Sequence, residues 1–307
     1  MLKSELLDMS KQASATTLVE RLRAKIEAHS ARVSVGLRLS TLMYHHVGPR
    51  RPGTLPQLTI GPGQFEQQVR WLAKRGYRGI AARDWLAWCK EGKRLPEKPI
   101  LLTFDDAYAD LAEYAFPILE HYGFGAAVFV VTGLLGGTNA WDEANTIGTH
   151  RLLTANQICD WHRRGIEFGA HGRTHVDLTT EGLDLGSEIV GSGDDLAALL
   201  HGEVTAFAYP YGATSPPVRE VVTRRFQLAF GTEPGMNNIQ TDPYALKRSM
   251  VKPHESILEF GFRVRVGRNL VGRVWAGVAR RLYSPEPELP YLSGSRGQHG
   301  TAVLNRE

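Results

Sequence analysis

Cysteine is almost absent from this chain: two residues, Cys89 and Cys159, among 307. They have no metal-like spacing and do not fix a redox compartment. Each sits in a helical pattern, WLAWCK and QICDW, and reads as a buried thiol. A chain of this length builds a core without disulfide staples. Long apolar runs are missing too, and no segment has the length needed to span a bilayer. Near the N-terminus, acidic and basic residues interrupt every apolar stretch, unlike a secretory signal. The expected location is therefore the cytoplasm or the inner face of the membrane. Strong net charge is also lacking. The balance is +4, too little to point to nucleic acid. Much of the excess is gathered between Arg263 and Arg281.

What remains is an ordinary globular composition, 42% hydrophobic and 22% charged. Short apolar runs recur at 39–47, 99–106, 125–133, 165–172, 205–212, 227–232 and 244–251. Helical patterns separate them at 63–77, 107–123, 153–164, 178–200 and 215–226. In the first of these Phe65, Val69 and Leu72 share a face, and Thr154 caps the third. Near-continuous apolar strands alternating with helices predict a parallel sheet buried on both faces. Seven units favour an α/β fold of the distorted (β/α) barrel type, with about seven parallel strands, over an open doubly wound sheet. No repeat of fixed period is present. Three regions are expected: a polar, partly helical extension (1–36), the barrel (37–266), and a basic amphipathic helix with a Pro/Gly/Ser-rich tail (267–307).

In parallel α/β folds, ligands bind where the strands end. Those ends carry His45 and His46, Asp105 and Asp106, His171 and His175, Tyr209 to Gly212, and Arg248. Asp105 and Asp106 close a buried strand, LTFDD. Two carboxylates so close repel each other in a dry site unless a cation relieves them; alternatively they cap the helix that follows. His171 and His175 are four apart after IEFGA, so both imidazoles can reach one ion; alternatively they are surface histidines at a turn. Taken together, one aspartate and two histidines make the three-ligand set of a catalytic zinc-type site with a position open for water. The second carboxylate is then available as a base. The ligands suit Zn2+, with Co2+, Ni2+ or Fe2+ as substitutes. In AYPYG (208–212), the backbone N–H of Tyr211 is a candidate oxyanion donor.

These motifs resemble the polysaccharide deacetylase superfamily, carbohydrate esterase family 4, whose shared unit is the NodB homology domain. Thr103-Phe104-Asp105-Asp106 is similar to its first motif, His171-Gly172-Arg173-Thr174-His175 to its second, and Ala208-Tyr209-Pro210-Tyr211-Gly212 to its third. The resemblance extends over roughly 38–260 and implies a distorted (β/α) barrel. It implies Asp105 as catalytic base, Asp106, His171 and His175 as metal ligands, and the Tyr211 amide at the oxyanion. The substrate implied is an N-acetylated carbohydrate, cleaved to an amine and acetate. Tyr209 and Pro210 belong to the substrate side of the third motif. The loop 133–142 resembles those of exopolysaccharide-associated members, where Trp141 would stack on a sugar and Asp142 bond a hydroxyl.

Two departures stand out. Many members place an arginine where this chain has Ala208, and Arg248 is the candidate replacement. Many carry a late Leu-x-His, which here reads Leu246-Lys247-Arg248. His45 and His254 are then the candidate general acids. Two other functions stay open: hydrolysis of other C–N bonds such as cyclic ureides or imides, and carbohydrate binding without catalysis. The basic helix at 267–283 either caps the barrel or meets an anionic membrane surface. No nucleic-acid partner is expected, and nothing in the sequence sets an oligomeric state.

Overall fold

A computed structural model describes residues 36–50, 56–145 and 149–268. The predicted extension lies outside these residues apart from its last position, as do the tail and nearly all of the predicted basic helix. Among the described residues, no helix is long and apolar enough to cross a membrane.

The chain begins with β1 (Leu39–Tyr44), followed by β2 (His46–Val47) and β3 (Thr59–Ile60), which pair with each other as a separate small ribbon. Next come α1 (Pro62–Lys74), β4 (Arg78–Ile80), α2 (Ala82–Glu91) and β5 (Pro99–Phe104). After them stand α3 (Phe116–Tyr122), β6 (Ala127–Val130), α4 (Ala155–Arg163), β7 (Glu167–Ala170) and α5 (Ser192–Leu200). The described part closes with β8 (Ala206–Ala208), α6 (Pro216–Arg225), β9 (Leu228–Phe230), β10 (Met236–Asn237), β11 (Ser249–Met250) and α7 (Ile257–Val266).

Strands β1, β5, β6, β7, β8 and β9 lie side by side in that order, all parallel. The sheet curls into the partial barrel expected. The gap between β9 and β1 is crossed by one thin segment: Leu246 bridges Phe230, and Ser249 and Met250 pair with Leu42 and Met43. The seventh predicted strand is thus reduced to a few contacts. Three short strands have no counterpart in the apolar runs: β3, β4 and β10. Each offers too few residues for a periodic signal.

Strand β5, PILLTF, is buried along its whole length. Side chains alternate between the faces. Ile100, Leu102 and Phe104 pack outward against Phe65, Val69 and Leu72 of α1. Leu101 points inward with Ala127, Phe129, Ala208 and Phe230. Each fully buried Leu or Phe contributes about 1.5–3 kcal/mol of burial free energy. Trp85 and Trp88 of α2 join the inner cluster and close the end where the strands begin. Glu167 holds that helix in place by accepting from the Arg83 N–H at 3.0 Å. Gly79 is required where β4 meets the turn before β6, because a Cβ there would lie 2.7 Å from the Gly125 carbonyl oxygen.

Helix α4 starts as expected, with the Thr154 hydroxyl accepting from Gln157 N–H. The predicted 107–123 and 178–200 helices are shorter, and each opens with a π-helical turn, Leu111–Ala115 and Gly186–Gly191. Such turns carry an extra residue and are frequent at functional sites. Cys89 and Cys159 are free and half-buried, not fully enclosed as expected.

Candidate metal centre

Three strand ends converge on one cavity of about 410 Å3. Beyond β5 the chain turns sharply. The Asp105 N–H donates to the Tyr44 carbonyl at 3.0 Å, and Asp106 and Ala107 adopt φ of 70° and 55°. Beyond β7, His171 N–H donates to Val130, and His175 has φ 60°. Beyond β8, Tyr211 has φ 58°. Non-glycine residues rarely take this backbone region, and its use clusters at functional sites. Here it lets neighbouring side chains face one point, which a continuing strand would forbid.

Asp106, His171 and His175 are all buried, and one donor atom from each falls within 4.8 Å of the others. The Nε2 atoms of His171 and His175 stand 3.5 and 3.2 Å from Asp106 Oδ1. That oxygen is buried and, among the described residues, has no hydrogen-bond partner. His171 Nδ1 bonds the Ala208 carbonyl at 2.8 Å, which assigns its proton to Nδ1 and leaves the Nε2 lone pair facing Asp106. The donor set and the orphaned oxygen fit a divalent cation. Electrostatics agree. Burial opposes a charge on Asp106, but His175 and His171 hold its carboxyl well below the usual range. Burial likewise opposes a proton on His171, yet Asp106 and Asp105 hold its imidazole above its ordinary value. A bound cation would replace that proton.

The loop carrying both histidines is fastened from behind. Glu188, on the Gly186–Gly191 turn, accepts from the N–H groups of Arg173 and Thr174 at 2.9 and 3.1 Å and from the Thr174 hydroxyl at 2.9 Å. Arg173 pairs with Asp195 through two hydrogen bonds of 2.7 and 2.8 Å.

Asp105 lies beside this cluster in a two-point pair with Arg248, at 2.5 and 2.9 Å. Arg248 is fully buried. Its remaining donors go to the Gly231 carbonyl at 2.8 Å and the Thr103 hydroxyl at 3.3 Å. Burial works against the Asp105 charge, but Arg248, His171 and His45 hold the carboxyl below its ordinary range. His45 lines the same cavity. Burial, more than any neighbour, lowers its pKa, so it is neutral near pH 7.

The other sequence candidates divide. Trp141 lines the cavity and stacks on His175, ring centres 4.5 Å apart. Asp142 lines it and accepts from Asn139 at 3.2 Å. Tyr211 is exposed at the mouth, with its ring 4.6 Å from His175. Tyr209 reaches the cavity wall, but its hydroxyl is spent on the Tyr244 carbonyl at 3.1 Å. Pro210 is buried and does not line the cavity; it shapes the turn. His254 does not join the site. It is exposed and lies against Arg50, 2.6 Å from its guanidinium.

Sequence reasoning missed Tyr108 and Glu188. Tyr108 is buried in the cavity wall, and among the described residues its hydroxyl has no hydrogen-bond partner. Burial, then Asp106 and Asp142, hold its phenol far above the ordinary range, so it is a neutral donor. A tyrosine two residues past the aspartates was a detectable signal. Glu188 gave none, being distant in sequence from the loop it supports.

Comparison with known proteins is consistent with this geometry. Residues 92–225 match the family model described as polysaccharide deacetylase. The Bacillus subtilis (strain 168) protein named "Putative polysaccharide deacetylase YxkH" is 28% identical over 228 residues, 73% of this chain and 75% of that one. The poly-beta-1,6-N-acetyl-D-glucosamine N-deacetylase of Staphylococcus aureus (strain MSSA476) is 32% identical over 116 residues, 37% of either chain. The structure of Streptococcus pyogenes deacetylase PplD in complex with acetate superposes with a TM-score of 0.65 at 25% identity, covering 74% of this chain and 98% of that one.

Proposed function

We propose that this chain, which belongs to the polysaccharide deacetylase family, removes N-acetyl groups from a hexosamine-containing carbohydrate with the help of a divalent cation. One observation carries the proposal: Asp106, His171 and His175 converge on one point while Asp105, charged and clamped by Arg248, stands beside them unused as a ligand. A structural ion site has no need of that fourth group. A hydrolase needs a base there.

Asp106, His171 and His175 would hold the cation, which supplies Lewis acidity to water and to the acetamide carbonyl. Asp105 takes a proton from the attacking water. Arg248 fixes both carboxylate oxygens, keeping the base ionised and correctly aimed; this is the part that Ala208 cannot play. Oxygen adds to the carbonyl carbon, and the Tyr211 N–H faces the oxyanion. The proton that Asp105 took from the water is returned to the sugar nitrogen as the C–N bond breaks, with neutral His45 as its relay, leaving acetate and a free amine. Trp141, Asp142 and Tyr211 form the rim on which the sugar rests. The named activity of the Staphylococcus aureus relative makes a β-1,6-linked N-acetylglucosamine polymer the first substrate to try.

The test is acetate release from N-acetylglucosamine oligomers by metal-stripped protein and by the same protein resupplied with Zn2+, Co2+, Ni2+ or Fe2+. Activity restored by metal and lost in Asp105→Asn supports the proposal. Ammonia or ring-opened product from a cyclic ureide or imide, with no acetate from any glycan, would replace it with the other C–N hydrolase.

A further inference from the structure

A separate cavity, of about 340 Å3, lies at the opposite end of the barrel from the metal site, where β1 and β5 begin. Arg38 and Ser40 line it at the start of β1, Lys98 at the start of β5, and Val264 and Arg265 in the last turn of α7. Three cations thus share one space with a single acid, Glu97. Among the described residues, the side chains of Arg38 and Arg265 have neither an ion pair nor a hydrogen bond. Lys98 spends one of its three ammonium protons on the Arg75 carbonyl, at 3.1 Å. Arg75 and Arg78 are exposed close by, Arg78 being paired in register with Pro99.

Helix C-termini attract cations for their own sake, which accounts in part for Arg265. It does not account for Arg38 and Lys98, which precede strands. Nor does it account for Ser40. Side chains alternate along β1, so Ser40 shares the outward face of Leu42 and Tyr44, on the side where Val264 packs. Ser40 is 2% exposed, and its hydroxyl is buried with no hydrogen-bond partner among the described residues. An unpaired buried hydroxyl is costly, and an apolar residue would serve better unless something in the cavity takes that hydrogen bond. None of these groups has a part in the hydrolysis described above. The volume falls within the range of about 300–1,000 Å3 usual for small-molecule sites.

We propose that this cavity is a site for a phosphate group. Arg38 and Arg265 bring planar guanidinium forks, Lys98 a point charge and Ser40 an O–H donor. Such a set of donors calls for an anion with several acceptor oxygens, and a phosphomonoester offers three. Glu97 opposes the anion and keeps the site weaker than the three cations alone would make it. The phosphate comes from a phospholipid headgroup or from a free phosphate ester. With the lipid as source, Arg75 and Arg78 meet the same membrane surface, and the metal cavity opens away from it. The site stands independently of the deacetylase proposal.

The test is calorimetric titration of the full chain with inorganic phosphate and with glycerol 3-phosphate. Beside it runs flotation with phosphatidylcholine vesicles that contain phosphatidate or phosphatidylglycerol at equal charge. Arg38→Ala and Arg265→Ala should each weaken phosphate binding about tenfold, and Glu97→Gln should strengthen it. Both arginines are exposed, so their loss leaves the fold intact. Ser40→Ala separates a built site from a merely basic face. Without phosphate it should leave Tm unchanged or higher, because its hydroxyl has no partner to lose. With phosphate it should lose part of the rise in Tm that the ligand gives the parent protein. Binding of the soluble phosphates alone assigns a free phosphate ester. Flotation with phosphatidate in preference to phosphatidylglycerol assigns the lipid headgroup. Either supports the site when the arginine variants lose it. Failure to bind any phosphomonoester, or binding that survives both arginine replacements, would overturn it. So would equal flotation with both lipids that Ser40→Ala leaves untouched.

Discussion

Arg248→Ala is the most informative single perturbation. The side chain is fully buried and makes hydrogen bonds to Gly231, Thr103 and both oxygens of Asp105. Its removal leaves the Asp105 carboxylate enclosed without its counter-charge. Breaking a buried pair in this way costs about 3–5 kcal/mol, a large share of the roughly 5–15 kcal/mol that holds a domain together. The cost must depend on pH in a definite direction. In the parent protein the Asp105 carboxyl is held below its ordinary range. Its contribution to stability is therefore present above the unfolded-state pKa and is lost as pH falls through the folded-state value. In the variant that contribution is gone. The stability gap, read by urea denaturation, should be widest at neutral pH and narrow on acidification. Arg248→Met combined with Asp105→Asn should recover much of the loss, since neither charge then remains. Activity should fall, and the acidic limb of the kcat/KM profile should move to higher pH as Asp105 becomes harder to ionise. A gap below about 1 kcal/mol at pH 7, or one that widens in acid, would refute the account of this pair.

Other expectations follow from the same geometry. Glu188→Ala frees the N–H groups of Arg173 and Thr174, and zinc affinity should drop about 10–100-fold, measured by competition with a chromophoric chelator. Zinc at about 100 times its Kd should stabilise the apo-protein by about 2.7 kcal/mol, and Asp106→Asn should abolish most of that increase in Tm. Glu167 is pushed up to about 6, chiefly by burial. Its contribution is thus complete below the unfolded-state pKa and lost as pH rises through 6, so Glu167→Gln should flatten the pH dependence of stability by about 2 kcal/mol between acid and neutral pH. An unchanged slope in that denaturation series would contradict this assignment.

The chain announced its chemistry more clearly than its boundaries. Strand β5 is a continuous apolar run that ends in two aspartates, and such a pattern survives in a single sequence because burial on both faces leaves no alternation to blur it. Asp105 and Asp106 could be named on that basis, and His171, His175 and Arg248 from their places near the ends of later predicted strands. The two π-helical turns were invisible, since one extra residue in a helix leaves no local composition signal. The role of Glu188 was hidden for a different reason: it acts across the fold, and only packing shows which loop it serves. His254 misled because a histidine near the predicted last strand looks the same whether it turns inward or pairs with Arg50.

The place where the cylinder is stitched shut has a consequence for inactivation. Arg248 sits between Leu246 and Ser249, in the narrow segment that joins the last strand to the first. The seam is held by single amide hydrogen bonds to separate segments, Leu246 N–H to Ala229, Arg248 N–H to Glu233 and Val251 N–H to Met43, and not by a continuous ladder, so amide exchange there should precede exchange elsewhere in the sheet. Any parting of the seam carries the guanidinium away from Asp105. On warming, then, turnover should fade while the far side of the sheet still protects its amides, and on cooling it should return without refolding.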